Sequence, residues 1–554
     1  MRSGQFLVEG ESAEGGIEMR EPYIEVNGST RVLMVDEKPF IMIAGEVHNS
    51  SASSVVYMEE IWEKADVLNL NTVLLPVYWE MIEPEENSFD FSLVDSLINQ
   101  AREHQKKIGF LWFGSWKNAQ CYYAPEWVKR DLQRFERAQV EPGRNQKILE
   151  NVHGLLYTTL SALCEETKRA DAKAFAKLME HIGKIDGEDH TVITMQVENE
   201  AGLLGGAREH GEKAEKLFQQ PVPKGMLTYF YESYETLTPE LRKAMVPKEK
   251  ILEGRVWGEV FGEMAEEVFQ AYYTAQFIEE VAAAGKRGYN LPMTVNCWLD
   301  KGQNPGKYPS GGPVAKLLPV WKYAAKSIDI YGPDIYVPAF LQICDQYKND
   351  QNPLYIAECA THSYAGIREL YVIGHYHAMC YSPFGFEDMG QPFTTMQGAL
   401  FGIDTEDELL KLPQDPAEYA KINHLLTGMM FLLGKAYGTN RLQASISEKS
   451  KRETLSFQAY NITVFYESRF LQSTNGACLV LEEDETTFWV LVKDCGIEIQ
   501  SKEAEQPFTD FLSVDEGEFV NGIFVAERRL NGDEITTMTF DGIHLLKIKL
   551  FSYQ

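Results

Sequence analysis

Short, nearly continuous apolar runs recur along about the first four fifths of the chain, separated by longer stretches of mixed polarity. Runs without polar alternation are typical of parallel β-strands that are covered on both faces. The runs predict eight such strands, at residues 40–44, 72–77, 108–113, 192–197, 293–297, 328–331, 354–357 and 379–381.

The stretches between these runs contain amphipathic helix patterns. Residues 55–68 repeat apolar side chains at helical spacing, and Ser53 and Ser54 precede them as candidate N-caps. Residues 93–101 show the same spacing. Eight strands that alternate with helices predict an α/β fold, a (β/α)8 TIM barrel, over about residues 25–435. In that fold catalytic groups emerge at the C-terminal ends of the strands.

The pattern changes after Lys435, and residues 1–24 precede the barrel as an N-terminal extension. Period-two strands are predicted at residues 454–466, 477–481, 487–492, 522–527 and 543–551, and Asn531-Gly532-Asp533 is a tight-turn signal. Residues 436–554 are therefore expected to form an all-β sandwich. Within the barrel, the connections 117–190 and 201–291 are longer than barrel loops need, and such insertions usually build the walls of a pocket.

Composition narrows the class of protein. At 554 residues and 63.0 kDa, the chain is long enough for a catalytic domain and an accessory domain. Its formal net charge of −30 would repel nucleic acid and anionic lipid, so neither is an expected partner. Residues 1–20 lack the apolar core of a secretory signal, and no stretch has the length of a membrane span. A cytoplasmic protein whose eight cysteines are reduced thiols is expected.

Two predicted strands end on carboxylates. Glu198-Asn199-Glu200 follows the fourth strand, and Glu358 follows the seventh, so both ends would overlook the same mouth of the barrel. Hydrolysis of a glycosidic bond requires such a pair: one acid protonates the leaving oxygen, and the other attacks the anomeric carbon or activates water. Strict alternation puts Glu198 on the same face as Glu200, so spacing alone leaves both open. The other role for Glu198 is a buried ion pair deeper in the barrel.

Gln196-Val197-Glu198-Asn199-Glu200, with Gly45-Glu46-Val47-His48 on the first strand, resembles glycoside hydrolase family 35, the β-galactosidase family of the retaining clan A barrels. The segment from Val514 to Glu534 also resembles the accessory β-domain of a bacterial branch. The resemblance implies a retaining, exo-acting β-glycosidase in which Glu200 is the general acid/base, Glu358 is the nucleophile, and Asn199 donates to the sugar 2-hydroxyl. For both Asn199 and Glu200 to meet substrate, the strand must end or bulge there.

Two departures from the family pattern leave the sugar open. Where many members have Trp-Asn-x-His-Glu-Pro after the second strand, this chain has Trp79-Glu80-Met81-Ile82-Glu83-Pro84, and Gly114-Ser115-Trp116 replaces Ala-Glu-Trp after the third. Galactose is the family-level expectation, and glucose or another β-linked sugar is an alternative. Aromatic rings and polar groups near strand ends are candidate substrate-binding residues: Trp79, Glu80, Trp116, Asn118, Trp298, Tyr331 and Phe386. Core packing explains each ring equally well, and Trp112, inside an apolar run, is the weakest.

Four histidines, His48, His362, His375 and His377, raise the question of a metal, but no Asp-rich or Cys-rich set accompanies them. No cofactor is expected, since two carboxylates cleave a glycoside without one. The expected partner is an oligosaccharide or β-glycoside substrate, and a homo-oligomer is expected only by analogy. A transglycosylase on the same scaffold is one alternative. A carbohydrate-binding protein with an inactive barrel is another, and it is disfavoured because Glu200 and Glu358 are both present.

Overall fold

The computed structural model describes residues 20–140, 149–150, 156–247, 254–395, 397–398 and 407–554. The described part begins with a small antiparallel sheet of three strands: β1 (Tyr23–Asn27), β2 (Thr30–Val35) and β3 (Lys38–Phe40). Leu33 and Val35 of β2 pack with Met42, Met379 and other side chains of the barrel interior, so this sheet closes the N-terminal end of the barrel.

Within the described residues, eight parallel strands close into a barrel in the order β4-β5-β6-β9-β10-β11-β12-β13. A two-stranded hairpin, β7 (Leu149–Glu150) and β8 (Leu156–Tyr157), lies between the third and fourth of them. The barrel strands are β4 (Met42–Glu46), β5 (Thr72–Tyr78), β6 (Lys107–Phe113), β9 (Val192–Val197), β10 (Met293–Trp298), β11 (Ile330–Ile335), β12 (Tyr355–Cys359) and β13 (Cys380–Pro383). The predicted TIM barrel is confirmed.

The helices of the barrel region are α1 (Val55–Val67), α2 (Trp79–Ile82), α3 (Ser92–Glu103), α4 (Glu126–Arg130), α5 (Glu165–Asp186), α6 (Glu212–Phe218), α7 (Lys224–Glu232), α8 (Pro239–Ala244), α9 (Trp257–Phe261), α10 (Ala265–Gly288), α11 (Leu318–Ala324), α12 (Phe340–Tyr347), α13 (Ala365–Tyr371), α14 (Pro416–Gly428) and α15 (Met430–Ala436). Ser54 caps α1 by accepting a hydrogen bond from the Tyr57 backbone N–H, as its position predicts.

One predicted strand boundary is wrong in a way that matters below. The run at 328–331 predicts a strand that ends before Gly332 and Pro333, but β11 continues through both to Ile335. Gly332 is needed there because a Cβ atom at this position would lie only 2.9 Å from the backbone oxygen of Tyr355 in the neighbouring strand. The residue near the C-terminal end of the sixth strand is therefore Asp334 rather than Tyr331.

The C-terminal region is an antiparallel all-β domain, as predicted. Its strands are β14 (Leu442–Ile446), β15 (Arg452–Ser456), β16 (Tyr460–Phe465), β17 (Ala477–Asp484), β18 (Thr487–Ser501), β19 (Phe508–Val520), β20 (Ile523–Arg529) and β21 (Thr539–Tyr553). They form one hydrogen-bonded sheet around an apolar core of their own. The run predicted at 454–466 is a hairpin of two strands, and a short helix, α16 (Asp533–Thr537), follows the turn predicted at Asn531-Gly532-Asp533.

This sheet also packs on the barrel. Leu479 and Leu491 belong to the same buried cluster as the barrel helices, and the buried Arg368 of α13 forms a bidentate ion pair with Glu448, at 2.7 and 2.8 Å. Trp489 is buried on the barrel-facing side, against Phe519 and Phe524, rather than in the domain's own core. The expected boundaries at residues 25, 435 and 436 stay predictions. In the part of the chain that is described, no helix is both long and apolar enough to cross a bilayer.

Candidate active site

The backbone after β9 changes direction at the predicted carboxylate motif. Glu198 and Glu200 both have left-handed conformations, with φ of 64° and 47°, which non-glycine residues adopt only where their surroundings compensate the cost. Strand alternation therefore stops at Val197. As a result the Asn199 and Glu200 side chains both face the barrel mouth, while the Glu198 carboxyl lies behind it.

Glu198 pairs with a second carboxyl group instead of a cation. Its Oε2 accepts a hydrogen bond from the Trp116 backbone N–H at 2.7 Å, and its carboxyl contacts that of Asp171 on α5. Asp171 accepts hydrogen bonds from Trp112 Nε1 at 2.8 Å and from the backbone N–H and hydroxyl of Ser115. Burial, followed by the negative charge of Asp171, raises the pKa of Glu198 well above its ordinary value. Among the described residues Glu198 forms no ion pair, so the ion pair considered for it is not formed.

Glu358 reaches the mouth through an irregularity in β12. The pairing of β12 with β13 shifts register between Ile356 and Cys359, so β12 carries one extra residue there. The bulge directs Glu358 inward, although the preceding Ala357 already belongs to the interior cluster. Cys359 packs in the outer apolar core, away from Glu358.

Three donors hold the Glu358 carboxylate. The Tyr336 hydroxyl donates to Oε2 at 2.6 Å, and the amide groups of Asn199 and Asn296 donate to Oε1 at 3.3 and 3.2 Å. Glu358 is only 4% exposed, so these bonds replace the water that a carboxylate would otherwise need. Such a set fixes the orientation of an oxygen nucleophile.

Glu200 is held differently. Burial, and then the negative charge of Glu358, raise the pKa of Glu200 to about 7, while Lys117 and a hydrogen bond with Asp334 act in the opposite direction. The group therefore keeps a proton at mildly acidic pH and can release it near neutrality. A buried acid of this pKa beside an oriented carboxylate can serve as a general acid and base.

Asn296 on β10 connects these groups. Its Oδ1 accepts a hydrogen bond from the Glu200 backbone N–H at 2.9 Å, and its Nδ2 donates to Glu358 and, at 3.0 Å, to Asp334 Oδ2. Asp334 is paired directly with Glu358 in the sheet register. Burial, then Glu358 and Glu200, raise the pKa of Asp334 well above its ordinary value.

Lys117 supplies a buried positive charge to this cluster of acids. Its Nζ donates to Asn199 Oδ1 at 2.9 Å, and this bond fixes the amide so that its nitrogen faces Glu358. Burial disfavours the ammonium ion, but the charges of Glu358, Glu200 and Glu46 outweigh burial and raise the pKa of Lys117. The site therefore contains a buried group whose cationic form is favoured.

Two more acids lie on the other side of Glu358. Glu46, at the end of β4, is completely buried, and neither of its carboxyl oxygens has a hydrogen-bond partner among the described residues. Glu387 Oε1 accepts from the His48 backbone N–H and the Ser51 hydroxyl at 2.9 and 2.8 Å, and its Oε2 has no partner in the described part of the chain. Burial, and then Glu358, raise the pKa of Glu46 well above its ordinary value.

Three of the predicted binding residues lie in segments that support the cluster. The Trp116 backbone oxygen accepts from the Asn199 N–H at 3.2 Å, but its ring packs edge-on against Phe277. Asn118 belongs to the loop that contacts the Glu200 backbone, and its buried Oδ1 has no partner in the protein. Trp298 ends β10, two residues after Asn296, and is half-buried.

Four predicted binding residues lie elsewhere. Trp79 is fully buried, with its Nε1 bonded to Glu83, because the chain turns into α2 directly after β5. Glu80 forms a half-exposed ion pair with Lys129. Tyr331 points into the outer core, where its hydroxyl donates to the Ala325 oxygen, because β11 is longer than predicted. The Phe386 ring is buried against Gly45.

Sequence reasoning missed Lys117, Asn296, Asp334 and Tyr336 as members of the cluster. Asn296 and Asp334 each interrupt an apolar strand with a polar side chain near its C-terminal end, and this signal could have identified them. Nothing in the local pattern marks Lys117 or Tyr336. Both belong to loops, and their contact with Glu358 or Asn199 depends on closure of the barrel.

The four histidines considered as metal ligands each contact a protein group. His48, His362, His375 and His377 contact Asp388, Arg368, Tyr371 and Leu442, respectively. Over the described ranges, no group of three or more His, Cys, Asp or Glu side chains is arranged to hold a metal ion.

Comparisons with known proteins give limited matches. A family model described as a domain of unknown function, DUF5597, matches residues 419–540. A β-galactosidase of Xanthomonas manihotis is 35% identical over 57 residues, which is 10% of this chain and 9% of that protein's length. The chain therefore matches less than a tenth of this curated relative.

Two solved structures are similar at low sequence identity. The β-galactosidase of Bacillus circulans sp. alkalophilus is 11% identical, with a TM-score of 0.44, and the alignment covers 92% of this chain and 99% of that one. The cold-adapted β-galactosidase of Rahnella sp. R3 is 15% identical, with a TM-score of 0.45, and the alignment covers 74% of this chain and 58% of that one.

Proposed function

We propose that the chain is a retaining, exo-acting β-glycosidase, a glycoside hydrolase that removes terminal β-linked sugars, with β-galactosides as the first substrate class. The observation that carries the proposal is the pairing of an oriented carboxylate, Glu358 with its three donors, and a buried acid, Glu200, whose pKa is about 7. The short match to a Xanthomonas β-galactosidase supports the choice of sugar.

In the first step a Glu358 oxygen forms a bond to the anomeric carbon, and the bond from that carbon to the leaving oxygen breaks. Glu200 donates its proton to the leaving oxygen, so the aglycone departs as a neutral alcohol. In the second step Glu200, now a carboxylate, takes a proton from water, and the water oxygen displaces Glu358 from the anomeric carbon. Two displacements at one carbon give net retention.

Asn199 supports both steps. Asn199 Nδ2 donates one hydrogen to Glu358 Oε1, at a distance of 3.3 Å, and its second hydrogen is available to the 2-hydroxyl of the sugar. Lys117 holds the amide oxygen, so the donor side of Asn199 cannot flip away. A hydrogen bond to the 2-hydroxyl strengthens as positive charge develops on the sugar in the transition state.

A panel of nitrophenyl β-glycosides tests the proposal. Release of nitrophenol from at least one β-hexoside, with the β-anomer of the free sugar as first product by NMR, is expected. Glu358→Gln should be inactive and folded. Glu200→Ala should lose far more activity on poor leaving groups than on nitrophenyl substrates, and azide should restore turnover as a β-glycosyl azide.

Glu198→Ala is the matched control for Glu200→Ala, because the two carboxyls are two residues apart and only one faces the mouth. If azide rescues Glu198→Ala and not Glu200→Ala, the assignment within the motif is wrong. Inversion at the anomeric carbon would contradict the nucleophilic role of Glu358.

A further inference from the structure

Glu46 is an acid whose position the fold alone does not explain. It has no exposed surface, and both of its carboxyl oxygens lack partners within the described ranges. A buried polar group in this condition costs stability, and an apolar side chain of similar size would pack there at no such cost. The buried acid Glu209 differs, because it accepts from the Ser161 hydroxyl at 2.5 Å and from the Ala162 N–H at 2.9 Å. Glu369 of α13 also has two unpartnered carboxyl oxygens among the described residues, but it lies outside the cluster around Glu358.

The barrel order puts Glu46 on the side of Glu358 opposite to Glu200. Glu200 follows β9, three strands before β12, whereas Glu46 ends β4, two strands after β12. Since the bond to be cleaved lies between Glu358 and Glu200, the remaining ring carbons of the terminal sugar extend away from Glu200. Glu46 lies on that side. Its backbone forms a β-bridge with Phe384, and its backbone oxygen accepts a hydrogen bond from the Gly385 N–H, so Glu387 lies in the adjoining segment.

We propose that Glu46 and Glu387 bind the terminal sugar through adjacent ring hydroxyl groups and so determine which neutral β-hexoside the site accepts. This inference rests on the proposed glycosidase function. Glu387 presents one fixed acceptor, because its other oxygen is bonded to His48 and Ser51. Glu46 presents both of its oxygens.

A neutral sugar fits these groups better than an amino sugar. Burial and the nearby Glu358 raise the pKa of Glu46, which favours the neutral acid, and a neutral carboxyl group can both donate to and accept from a hydroxyl group. The buried ammonium group of Lys117, whose charge also acts on Glu46, would repel a second cation.

The test combines enzyme variants with substrates that lack single hydroxyl groups. Nitrophenyl glycosides of the preferred hexose with hydrogen at carbon 3, 4 or 6 are assayed with wild type, Glu46→Leu, Glu46→Gln and Glu387→Gln. For wild type, removal of the recognised hydroxyl should lower kcat/KM by about 10- to 100-fold. In Glu46→Leu, kcat/KM for the parent substrate should fall by a similar factor. Removal of the same hydroxyl from the substrate should then lower the kcat/KM of this variant by less than about threefold. Glu46→Gln, which retains one donor and one acceptor, should keep most of the discrimination.

Thermal unfolding separates this role from a structural one. Glu46→Leu should be at least as stable as wild type, because an unpartnered buried carboxyl is removed. Glu209→Gln, the control, should lose stability and leave the hydroxyl discrimination unchanged. Three results would overturn the inference. The first is that deoxygenation at carbon 3, 4 or 6 lowers kcat/KM by the same factor in Glu46→Leu as in wild type. The others are a clear drop in the Tm of Glu46→Leu and a preference of the wild type for a β-glucosaminide. If wild type hydrolyses no glycoside at all, the proposed function fails and this inference with it.

Discussion

Removal of the buried positive charge of Lys117 should move the alkaline limb of the pH–rate profile. Its Nζ is 2.9 Å from Asn199 Oδ1, and Asn199 Nδ2 is 3.3 Å from Glu358 Oε1. Since the two amide atoms are about 2.3 Å apart, Nζ lies within about 8.5 Å of that carboxylate oxygen. At this separation and an effective dielectric constant of about 20, the attraction is about 2 kcal/mol, or about 1.4 pKa units.

The sign of the change follows from the charge. A nearby cation favours the carboxylate form, so without it an acid releases its proton at higher pH. Lys117 lowers the pKa of Glu200, so in Lys117→Met the alkaline limb, where Glu200 loses its proton, should move up. An attraction of the size worked out above corresponds to a shift of about 1 to 1.5 pH units.

The assay is kcat/KM for a nitrophenyl β-hexoside measured from about pH 4 to 9, with circular dichroism as a check on folding. Lys117→Arg is the control, because it keeps the charge while it changes the bond to Asn199, and its limbs should stay near those of wild type. An alkaline limb that does not move in Lys117→Met, with activity merely lower across all pH values, would refute the electrostatic reasoning and leave Lys117 as a positioning group for Asn199.

Two further changes test other parts of the structure. Asn296→Ala removes two donors and one acceptor from the cluster at Glu200, Asp334 and Glu358, so kcat should fall by about 100- to 1000-fold, with a smaller change in KM. Normal kcat in that variant would remove Asn296 from the account. Truncation after Lys435 exposes barrel surface that Leu479, Leu491 and the Arg368 partner Glu448 cover, and insoluble or inactive protein is expected. A soluble, fully active barrel would show that the C-terminal domain is dispensable.

The fold was predictable because its signal is local. Each barrel strand is a continuous apolar run, and the helices between them have regular apolar spacing and, for α1, a serine cap. The main error, Tyr331, arose where Gly332 and Pro333 lie inside a strand instead of ending it. Contact with the neighbouring strand determines where β11 ends, and the sequence pattern alone does not show that contact.

The site was predictable only in outline. Glu200 and Glu358 follow strand ends, so barrel closure alone brings them to the same mouth. Their orientation depends on a bulge in β12 and on two left-handed residues after β9, which no alternation pattern contains. Most aromatic candidates are buried, because strand ends in a large barrel are covered by helices, and a ring there packs as readily in the core as at the mouth.

Covalent trapping tests the central claim most directly. A nitrophenyl or fluoride glycoside with fluorine in place of the 2-hydroxyl slows both displacements, and the good leaving group keeps the first one fast enough for the glycosyl-enzyme to accumulate. Mass spectrometry of the inactivated protein should show one added sugar, and peptide mapping should place it on Glu358 and nowhere in Glu358→Gln. A label on Glu200 or Glu46, or no label while the parent substrate is turned over, would contradict the account.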